Sequence, residues 1–384
     1  MTQKCSGYDV FSGAFIEVGF DRWIQTVDRP TGAHGRAAYL APGFIDLQVN
    51  GFMGVDFCAP GASLGDIGRA VDAILATGTT RFFPTVITGM PETMIGSIRM
   101  LAEARASLPR GRAMEGLHIE GPHISPMDGP RGAHPRPAVR PPSIEEFDRW
   151  QEAAGGLIRI VTVSAEWEGT PGYIEHITSK GVVAAIGHQE ANEEQIEKAV
   201  RAGATLSTHL GNGASFSLPR HPNFLWTQMA EDRLWASFIV DGIHLGKSFL
   251  TVALRAKGLH RAILITDAVM PTGCEPGQYK LGEVDVILHP AGNVTLTDGS
   301  RLAGSSLRMD RGVGNLMRIC GLQLREAVTM ATLNPAQAGR IAGRQQGLVP
   351  GERADLVEFD FDEAAQSIRV LRTWMDGELV YQYG

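Results

Sequence analysis

The sequence predicts an α/β protein whose main domain is a (β/α)8 TIM barrel, with a small β-sandwich domain formed from the N- and C-terminal segments. Three observations lead to this prediction. Eight short apolar runs follow one another after Gly43, amphipathic segments or loops separate them, and both chain ends have β-like patterning. The expected barrel covers residues 43–342, and the expected sandwich combines residues 1–42 with 343–384.

The eight predicted barrel strands are rich in β-branched and apolar residues, as the buried strands of a parallel barrel should be. They cover residues 44–50, 79–85, 116–121, 158–166, 182–188, 206–210, 235–244 and 262–269.

Helical spacing of apolar residues predicts four of the intervening helices most clearly. They cover residues 64–77, 91–106, 143–154 and 193–202. Ser63 and Ser143 stand at the starts of two of them, where a hydroxyl is expected to accept a hydrogen bond from the first turn.

The remaining segments interrupt or flank the barrel. Strands are expected at 15–18, 355–361 and 368–383, and a hairpin-like stretch at 271–304. Residues 306–321 and 324–333 have helical patterning again.

Composition narrows the function classes. The 384 residues include 20% charged residues with a formal net charge of -7, which argues against a nucleic-acid-binding surface. No apolar run is long enough for a membrane span and no signal-like start is present, so a cytoplasmic protein is expected. Four widely spaced cysteines predict neither a disulfide framework nor a thiolate zinc site.

Acidic and imidazole side chains end five of the predicted strands: Glu120, His188, His209, His244 and Asp267. In a parallel barrel these ends meet at one mouth, where active sites lie. Each residue has a structural alternative, since a strand-end histidine is often simply hydrogen-bonded and Asp267 would serve as a loop cap. Five such coincidences at the same end favour a functional site.

Glu120, His188 and His209 offer one carboxylate oxygen and two imidazole nitrogens, a set that suits zinc or a similar first-row ion. Three protein ligands leave a position for water, whose pKa a bound ion lowers. Asp267 is the expected proton carrier. His118, two residues before Glu120 on the same strand face, is expected to form a hydrogen bond within the barrel.

Motifs along nearly the whole chain resemble those of N-acetylglucosamine-6-phosphate deacetylases in the amidohydrolase superfamily. In chain order they are PGFIDLQVNG (42–51), GLHIEGP (116–122), GAH (132–134), GH (187–188), THL (208–210), DGIH (241–244), TDA (266–268) and LAGSS (302–306). The ordered series is far more specific than any one motif.

The resemblance implies hydrolysis of an N-acetylated amino sugar 6-phosphate to the amine and acetate. It implies Asp267 as general base and then acid, and His134 as a group that helps to polarise the acetyl carbonyl. Gln48 and Asn50 replace the His-x-His pair of many amidohydrolases, so these two second-metal positions are expected to be vacant. One divalent ion is then expected, zinc first, with iron, manganese or cobalt also compatible. No organic cofactor is implied.

The resemblance also implies a sugar-phosphate site and a homodimer. The residues that would bind the substrate are Ala133, Asn212, Gly213, Arg220, His244, Leu302, Ala303 and Gly304. Arg220 would reach the neighbouring subunit's site, although an arginine in its proline-rich loop would by itself be interpreted as a surface residue.

The chain departs from the family pattern in two places. After His209 it reads LGNGAS (210–215), without the bulky side chains usual in relatives, and His123 follows the GLHIEGP motif. A smaller or more mobile pocket wall is therefore expected. Two alternatives stay open. The chain could be an amidohydrolase that deacylates a different N-acyl sugar or another amide, or it could be a non-catalytic relative. The segment 121–157 is expected to cover the site.

Overall fold

The computed structural model describes residues 2–31, 37–282 and 284–384. The strands in these ranges are β1 (Gln3–Asp9), β2 (Phe15–Phe20), β3 (Ile24–Asp28), β4 (Tyr39–Pro42), β5 (Phe44–Val49), β6 (Gly51–Phe52), β7 (Val55–Asp56), β8 (Thr79–Ile87), β9 (Leu117–Glu120), β10 (Ile158–Val163), β11 (Val183–Ile186), β12 (Ala204–Ser207), β13 (Trp235–Ile239), β14 (Ala262–Ile265), β15 (Gly277–Leu281), β16 (Val284–Leu288), β17 (Asn293–Leu296), β18 (Leu302–Ser305), β19 (Leu356–Asp362), β20 (Ser367–Met375) and β21 (Glu378–Gln382). The α-helices are α1 (Leu64–Leu75), α2 (Pro91–Ser107), α3 (Ile144–Ala153), α4 (Thr170–Ser179), α5 (Glu193–Arg201), α6 (Phe224–Ala230), α7 (Lys247–Lys257), α8 (Met309–Cys320), α9 (Leu324–Ala331) and α10 (Leu333–Ala338).

The predicted barrel is confirmed as an eight-stranded parallel sheet in the order β14-β13-β12-β11-β10-β9-β8-β5. Backbone hydrogen bonds just beyond β5 and β14 close it. Asp267 N donates to Gln48 O over 3.0 Å, and Asn50 N donates to Ala268 O over 2.7 Å. The closure therefore lies at the carboxyl ends of the strands and brings Gln48 and Asn50 beside Asp267.

Alternate strand residues fill the barrel interior, as the period of two in a strand requires. Ile45 and Leu47 of β5 cluster with Ile263 and Ile265 of β14. Residues of the opposite parity, such as Leu264, pack instead against the surrounding helices. The barrel is therefore a packed core with its polar residues at one end.

Single residues at the helix ends determine where several helices begin and end. Ser63 accepts from Asp66 N in a reciprocal capping box at α1, and Ser143 accepts from Glu146 N at α3, as predicted. The single helix expected at 324–333 is instead two helices, because Thr332 leaves helical geometry with φ -134° and ψ -78°.

The two chain ends combine, as predicted, into β structure of their own. Their strands lie in one seven-stranded sheet in the order β21-β20-β19-β4-β1-β2-β3. Strand β4 joins the two ends, since it runs parallel to β1 and antiparallel to β19. The hairpin-like stretch after β14 forms a separate antiparallel sheet, β15-β16-β17-β18, which leads into α8.

Within the part of the chain that the structure describes, none of the helices combines the length and apolar character that a bilayer span requires.

A buried ionic cluster ties the sheet of the chain ends to the barrel. Asp355 Oδ2 lies 2.7 Å from Arg81 Nε and 2.6 Å from Arg344 Nη1, and all three side chains are almost fully buried. Asp355 Oδ1 also accepts from the backbone N–H of Asp376 over 2.7 Å. Burial alone would raise the pKa of Asp355, but the two arginines hold that pKa far below its usual range.

Replacing Asp355 with Asn is expected to lower the free energy of unfolding by about 3–5 kcal/mol, because two buried guanidinium groups lose their counter-charge. The matched control is Asp360→Asn, which removes an exposed pair with Arg369 and should cost less than about 1 kcal/mol. Because the folded-state pKa of Asp355 is depressed, its contribution is present above the unfolded pKa of about 3.9 and is lost as the pH falls below it. Urea unfolding of the three proteins at pH 7 and at about pH 3, below the unfolded pKa, measures both effects; equal losses for the two variants would contradict the role given to the cluster.

Candidate active site

A cavity of about 680 Å³ opens at the carboxyl ends of the barrel strands. Its walls come from the loops after the strands, from the segment 129–138 and from the antiparallel sheet β15–β18. Glu120, His134, His188, His209 and Asp267 all line it. His244 lines it too, so the five residues that the sequence predicts at strand ends, Glu120, His188, His209, His244 and Asp267, share one mouth.

Three donor atoms converge on one point. His209 Nε2 lies 2.9 Å from Glu120 Oε1 and 3.0 Å from His188 Nε2, and His188 Nε2 lies 3.3 Å from the same oxygen. Donors bound to one ion at about 2.0–2.2 Å have separations of this order. The three predicted ligands therefore fit a single divalent cation.

The tautomer of His188 also suits a ligand. Its Nδ1 lies 2.7 Å from the carbonyl oxygen of Pro130, and a carbonyl only accepts hydrogen bonds. Nδ1 must therefore carry the hydrogen, which leaves the Nε2 lone pair facing Glu120 and His209. Such outer contacts commonly orient metal-binding imidazoles.

Backbone strain concentrates at these residues. His188, His209 and Asp267 have φ values of 50°, 30° and 51°, in the left-handed region that side chains other than glycine rarely adopt. Each follows the end of a barrel strand. Strain held by surrounding structure is typical of functional sites.

Glu120 and the two imidazoles beside it shift one another's pKa values. Burial would raise the pKa of Glu120, but the neighbouring His188 and His209 side chains hold it well below its usual range. Burial would lower the pKa of His209, but the Glu120 carboxylate outweighs it and raises that pKa.

A neighbouring set, Glu120, His134 and His188, also has ligand atoms within 4.8 Å of one another. His134 Nε2 is 3.9 Å from Glu120 Oε2, however, which is farther than His209 Nε2 lies from either Glu120 or His188. The distances therefore favour His209 as the third ligand and place His134 at the edge of the cluster.

Gln48 and Asn50 direct amide hydrogens at the carboxylates. Gln48 Nε2 donates to Glu120 Oε1 over 2.8 Å and to Asp267 Oδ1 over 2.9 Å, and Asn50 Nδ2 donates to Asp267 Oδ1 over 2.6 Å. Hydrogen-bond donors that face a carboxylate repel a cation. The vacant second-metal positions at Gln48 and Asn50 stay a prediction.

Asp267 is buried, and both amide hydrogen bonds fall on its Oδ1 atom. Burial, followed by the negative charge of Glu120, raises the pKa of Asp267 to about 6. A carboxyl group with such a pKa exchanges protons readily near neutral pH.

His134 is held by Thr88, whose Oγ1 lies 2.8 Å from His134 Nδ1. Burial, and then the nearby His188, lower the pKa of His134 to about 3, so the ring is neutral. A neutral imidazole donates one hydrogen bond without bringing a second charge to the site. Thr88 was not identified from the sequence, because its contact with His134 spans 46 residues.

His118 lies below the cluster, as expected. Its Nδ1 contacts the carbonyl of Leu47 over 3.0 Å, and its Nε2 contacts Thr162 Oγ1 over 2.8 Å. Both ring nitrogens are thus used within the barrel.

Of the residues expected to bind substrate, all but one line the cavity: Ala133, Asn212, Gly213, His244, Leu302, Ala303 and Gly304. Arg220 is exposed and does not line the cavity of its own chain. His244 is fixed by Asp241, whose Oδ2 lies 2.6 Å from His244 Nδ1.

Two glycines in the loop after His209 pack closely against neighbouring side chains. A Cβ on Gly211 would lie 2.5 Å from Phe249 Cε1, and one on Gly213 would lie 2.7 Å from His188 Nδ1. Phe249 therefore occupies the space beside Gly211, and Gly213 packs directly on the His188 imidazole. The smaller or more mobile wall stays a prediction.

His123 lies outside the cavity, so it does not alter the pocket as the sequence suggested. Its ring stacks on Trp150 with centroids 5.4 Å apart and meets the edge of Tyr173 at 5.2 Å. Burial lowers its pKa to about 4. It is a neutral core residue.

Comparisons with known proteins agree with this geometry. Residues 39–380 match the amidohydrolase family. The chain is 32% identical to the N-acetylglucosamine-6-phosphate deacetylase of Bacillus subtilis (strain 168) over 83% of this chain and 80% of the relative. It is 35% identical to the N-acetylgalactosamine-6-phosphate deacetylase of Shewanella sp. (strain ANA-3), over 93% of this chain and 86% of the relative.

A solved structure, the N-acetyl-D-glucosamine-6-phosphate deacetylase of Mycobacterium smegmatis, superposes with a TM-score of 0.85 at 31% identity. The alignment covers 96% of this chain and 95% of that one.

Replacing His209 with Ala is expected to abolish the binding of one zinc ion per chain, because the ion loses a ligand from a three-residue set. Elemental analysis after loading with zinc and desalting measures the stoichiometry. The control is His289→Ala, which changes a histidine just after β16 that contacts Thr295 instead of the cluster. Full zinc content in the His209 variant would instead favour the set with His134.

Proposed function

Because the chain belongs to the amidohydrolase family, we propose that it hydrolyses N-acetylglucosamine 6-phosphate to glucosamine 6-phosphate and acetate. The observation that carries the proposal is the convergence of Glu120, His188 and His209 on one point in a cavity that Asp267 also lines. The family is metal-dependent and hydrolytic, and the donor set present here suits zinc.

A divalent ion bound by Glu120, His188 and His209 supplies Lewis acidity, which lowers the pKa of water and polarises a carbonyl. Asp267 takes a proton from the attacking water, since its Oδ1 is held by two amides and its Oδ2 is left for the proton. His134, with Nδ1 held by Thr88, donates from Nε2 to the acetyl oxygen as negative charge develops there. Asp267 then returns the proton to the amine nitrogen as the C–N bond breaks.

The substrate would be held by the residues around the cluster. Asn212 Nδ2 is buried and has no hydrogen-bond partner among the residues of the described ranges, so it is a donor available to a ligand. His244, oriented by Asp241, and the 302–304 stretch face the same space. Ala133 and Gly213 complete the wall.

We also propose a homodimeric assembly and a division of each chain into two domains. Arg220 would reach the site of a second subunit in a homodimer, consistent with its exposed position on a loop next to the cavity wall. Residues 43–342 would form the catalytic domain and residues 1–42 with 343–384 the small one, in a cytoplasmic enzyme.

Acetate release from N-acetylglucosamine 6-phosphate, N-acetylgalactosamine 6-phosphate and N-acetylglucosamine tests the substrate. The first is expected to have the highest kcat/KM. A higher value for the galactosamine epimer would favour the second candidate, to which the 35% identity with the Shewanella relative points. A preference for the unphosphorylated sugar would reject both.

Replacing Asp267 with Asn is expected to lower kcat by about 10²- to 10⁴-fold, because the amide cannot carry the proton. Its carbonyl oxygen still accepts from Gln48 and Asn50, so the zinc content should stay at the wild-type level. Single-turnover acetate release together with elemental analysis separates the two roles. Wild-type kcat in a zinc-loaded Asp267 variant would show that another group moves the proton.

A further inference from the structure

A second cavity, of about 570 Å³, lies beside helix α8. One face of this helix lines it through positions i, i+3, i+4 and i+7, which are Arg311, Gly314, Asn315 and Arg318. The other walls come from the segment after β13, the turn before β17, the segment after β18 and the start of β20. Within the described ranges it shares no lining residue with the catalytic cavity around Glu120. The two cavities are therefore separate.

Both carboxylates of this second cavity already have partners. Asp310 Oδ2 lies 2.8 Å from Arg308 Nη2, and Asp310 Oδ1 lies 3.1 Å from Arg308 Nε, so this pair is bidentate. Asp241 Oδ2 lies 2.6 Å from His244 Nδ1. Asp241 Oδ1 accepts from the backbone N–H groups of Ile243 and His244 over 2.8 Å each. Each carboxylate is thus held by groups other than the two arginines of the α8 face.

Those two arginines have no carboxylate partner. Among the residues that the structure describes, Arg311 forms no side-chain hydrogen bond or ion pair, and Arg318 donates only to the amide oxygen of Asn315. Both arginines are exposed, so an ion from solution can reach them. Two positive charges therefore face one cavity without a counter-charge.

The position of Arg318 is fixed by buried contacts. Asn315 is buried, and its Nδ2 donates to the carbonyl of Val240 over 2.7 Å while its Oδ1 accepts from Arg318. A Cβ built on Gly314 would lie 3.7 Å from Arg318 Nη1, so the guanidinium group folds back over Gly314. Helical side chains lean toward the N-terminus of their helix, which here is the direction of Arg311.

The charge and the lining indicate the kind of ligand. Like charges that face one cavity repel each other, and an anion between them removes this repulsion. The planar fork of a guanidinium group matches phosphate oxygens. Among the lining residues of the described ranges, the large apolar ones are only Ile243, Leu307 and Ile368, which suits a hydrophilic ligand. Small-molecule sites occupy roughly 300–1,000 Å³, so the cavity has room for more than a phosphate ion.

We propose that this cavity is a second anion site, in which Arg311 and Arg318 bind the phosphate group of a sugar-sized phosphate monoester. The site lies beside the catalytic cavity, because Asp241 lines the one and holds His244, which lines the other. The proposal does not rest on the proposed function, since binding at Arg311 and Arg318 requires no turnover.

Equilibrium dialysis with radiolabelled inorganic phosphate tests the site by counting the ions bound per chain. The Arg311→Met/Arg318→Met double variant is expected to bind one phosphate fewer per chain than wild type. Phosphate held in the catalytic cavity would remain in both proteins, so the difference reports this cavity alone. Each single Met variant should weaken the site about 10- to 100-fold, as lost charged hydrogen bonds imply. Lysine at either position should weaken it less because the charge is kept.

The matched control is Arg325→Met, which removes an exposed arginine of α9 that does not line the cavity. It should keep the wild-type count, and urea midpoints check that every variant is folded. Equal counts in wild type and the double variant, or the same loss in Arg325→Met, would show that Arg311 and Arg318 form no site.

Competition tests the class of ligand. Glucose 6-phosphate is expected to displace the one phosphate that depends on Arg311 and Arg318, whereas glucose should not. Failure of glucose 6-phosphate to displace it would reject a site for sugar-sized phosphate monoesters. None of these measurements uses deacetylation, so a failure of the proposed function would leave their outcome unchanged.

Discussion

One oxygen of a buried carboxylate organises the site. Glu120 Oε1 lies within hydrogen-bond distance of the Gln48 amide and of His209, and 3.3 Å from His188. A buried negative charge is costly unless neighbours compensate it, so each of these side chains is fixed by the need to face that oxygen. The left-handed backbone at His188 and His209 is the conformational cost of that arrangement.

Closure of the barrel supplies the other half of the site. Backbone hydrogen bonds of Gln48 and Asn50 with the segment at Asp267 join the first barrel strand to the last at their carboxyl ends, beside the cavity. The side-chain amides of Gln48 and Asn50 then hold Asp267 Oδ1. Closure of the barrel and the position of Asp267 thus depend on the same few contacts.

The sequence predicted the barrel and the converging residues because both depend on local patterns: apolar runs, and polar residues at their ends. It did not predict features that depend on contacts between distant segments. Thr88 behind His134, Phe249 beside Gly211, and the stacking of His123 on Trp150 all join segments that are far apart in the chain or separated by a loop. The tautomer of His188 likewise depends on the carbonyl of Pro130, 58 residues away.

The close contact between Gly213 and His188 has a consequence for how this site can diversify. Any side chain at Gly213 would push on an imidazole of the cluster, so the loop after His209 cannot change freely to suit a new substrate. Strands β15 and β16 contribute Leu281, Val284 and Val286 to the cavity wall. Selection for an altered substrate range would therefore change Leu281, Val284 and Val286. Gly213 would stay glycine because a side chain there would displace His188.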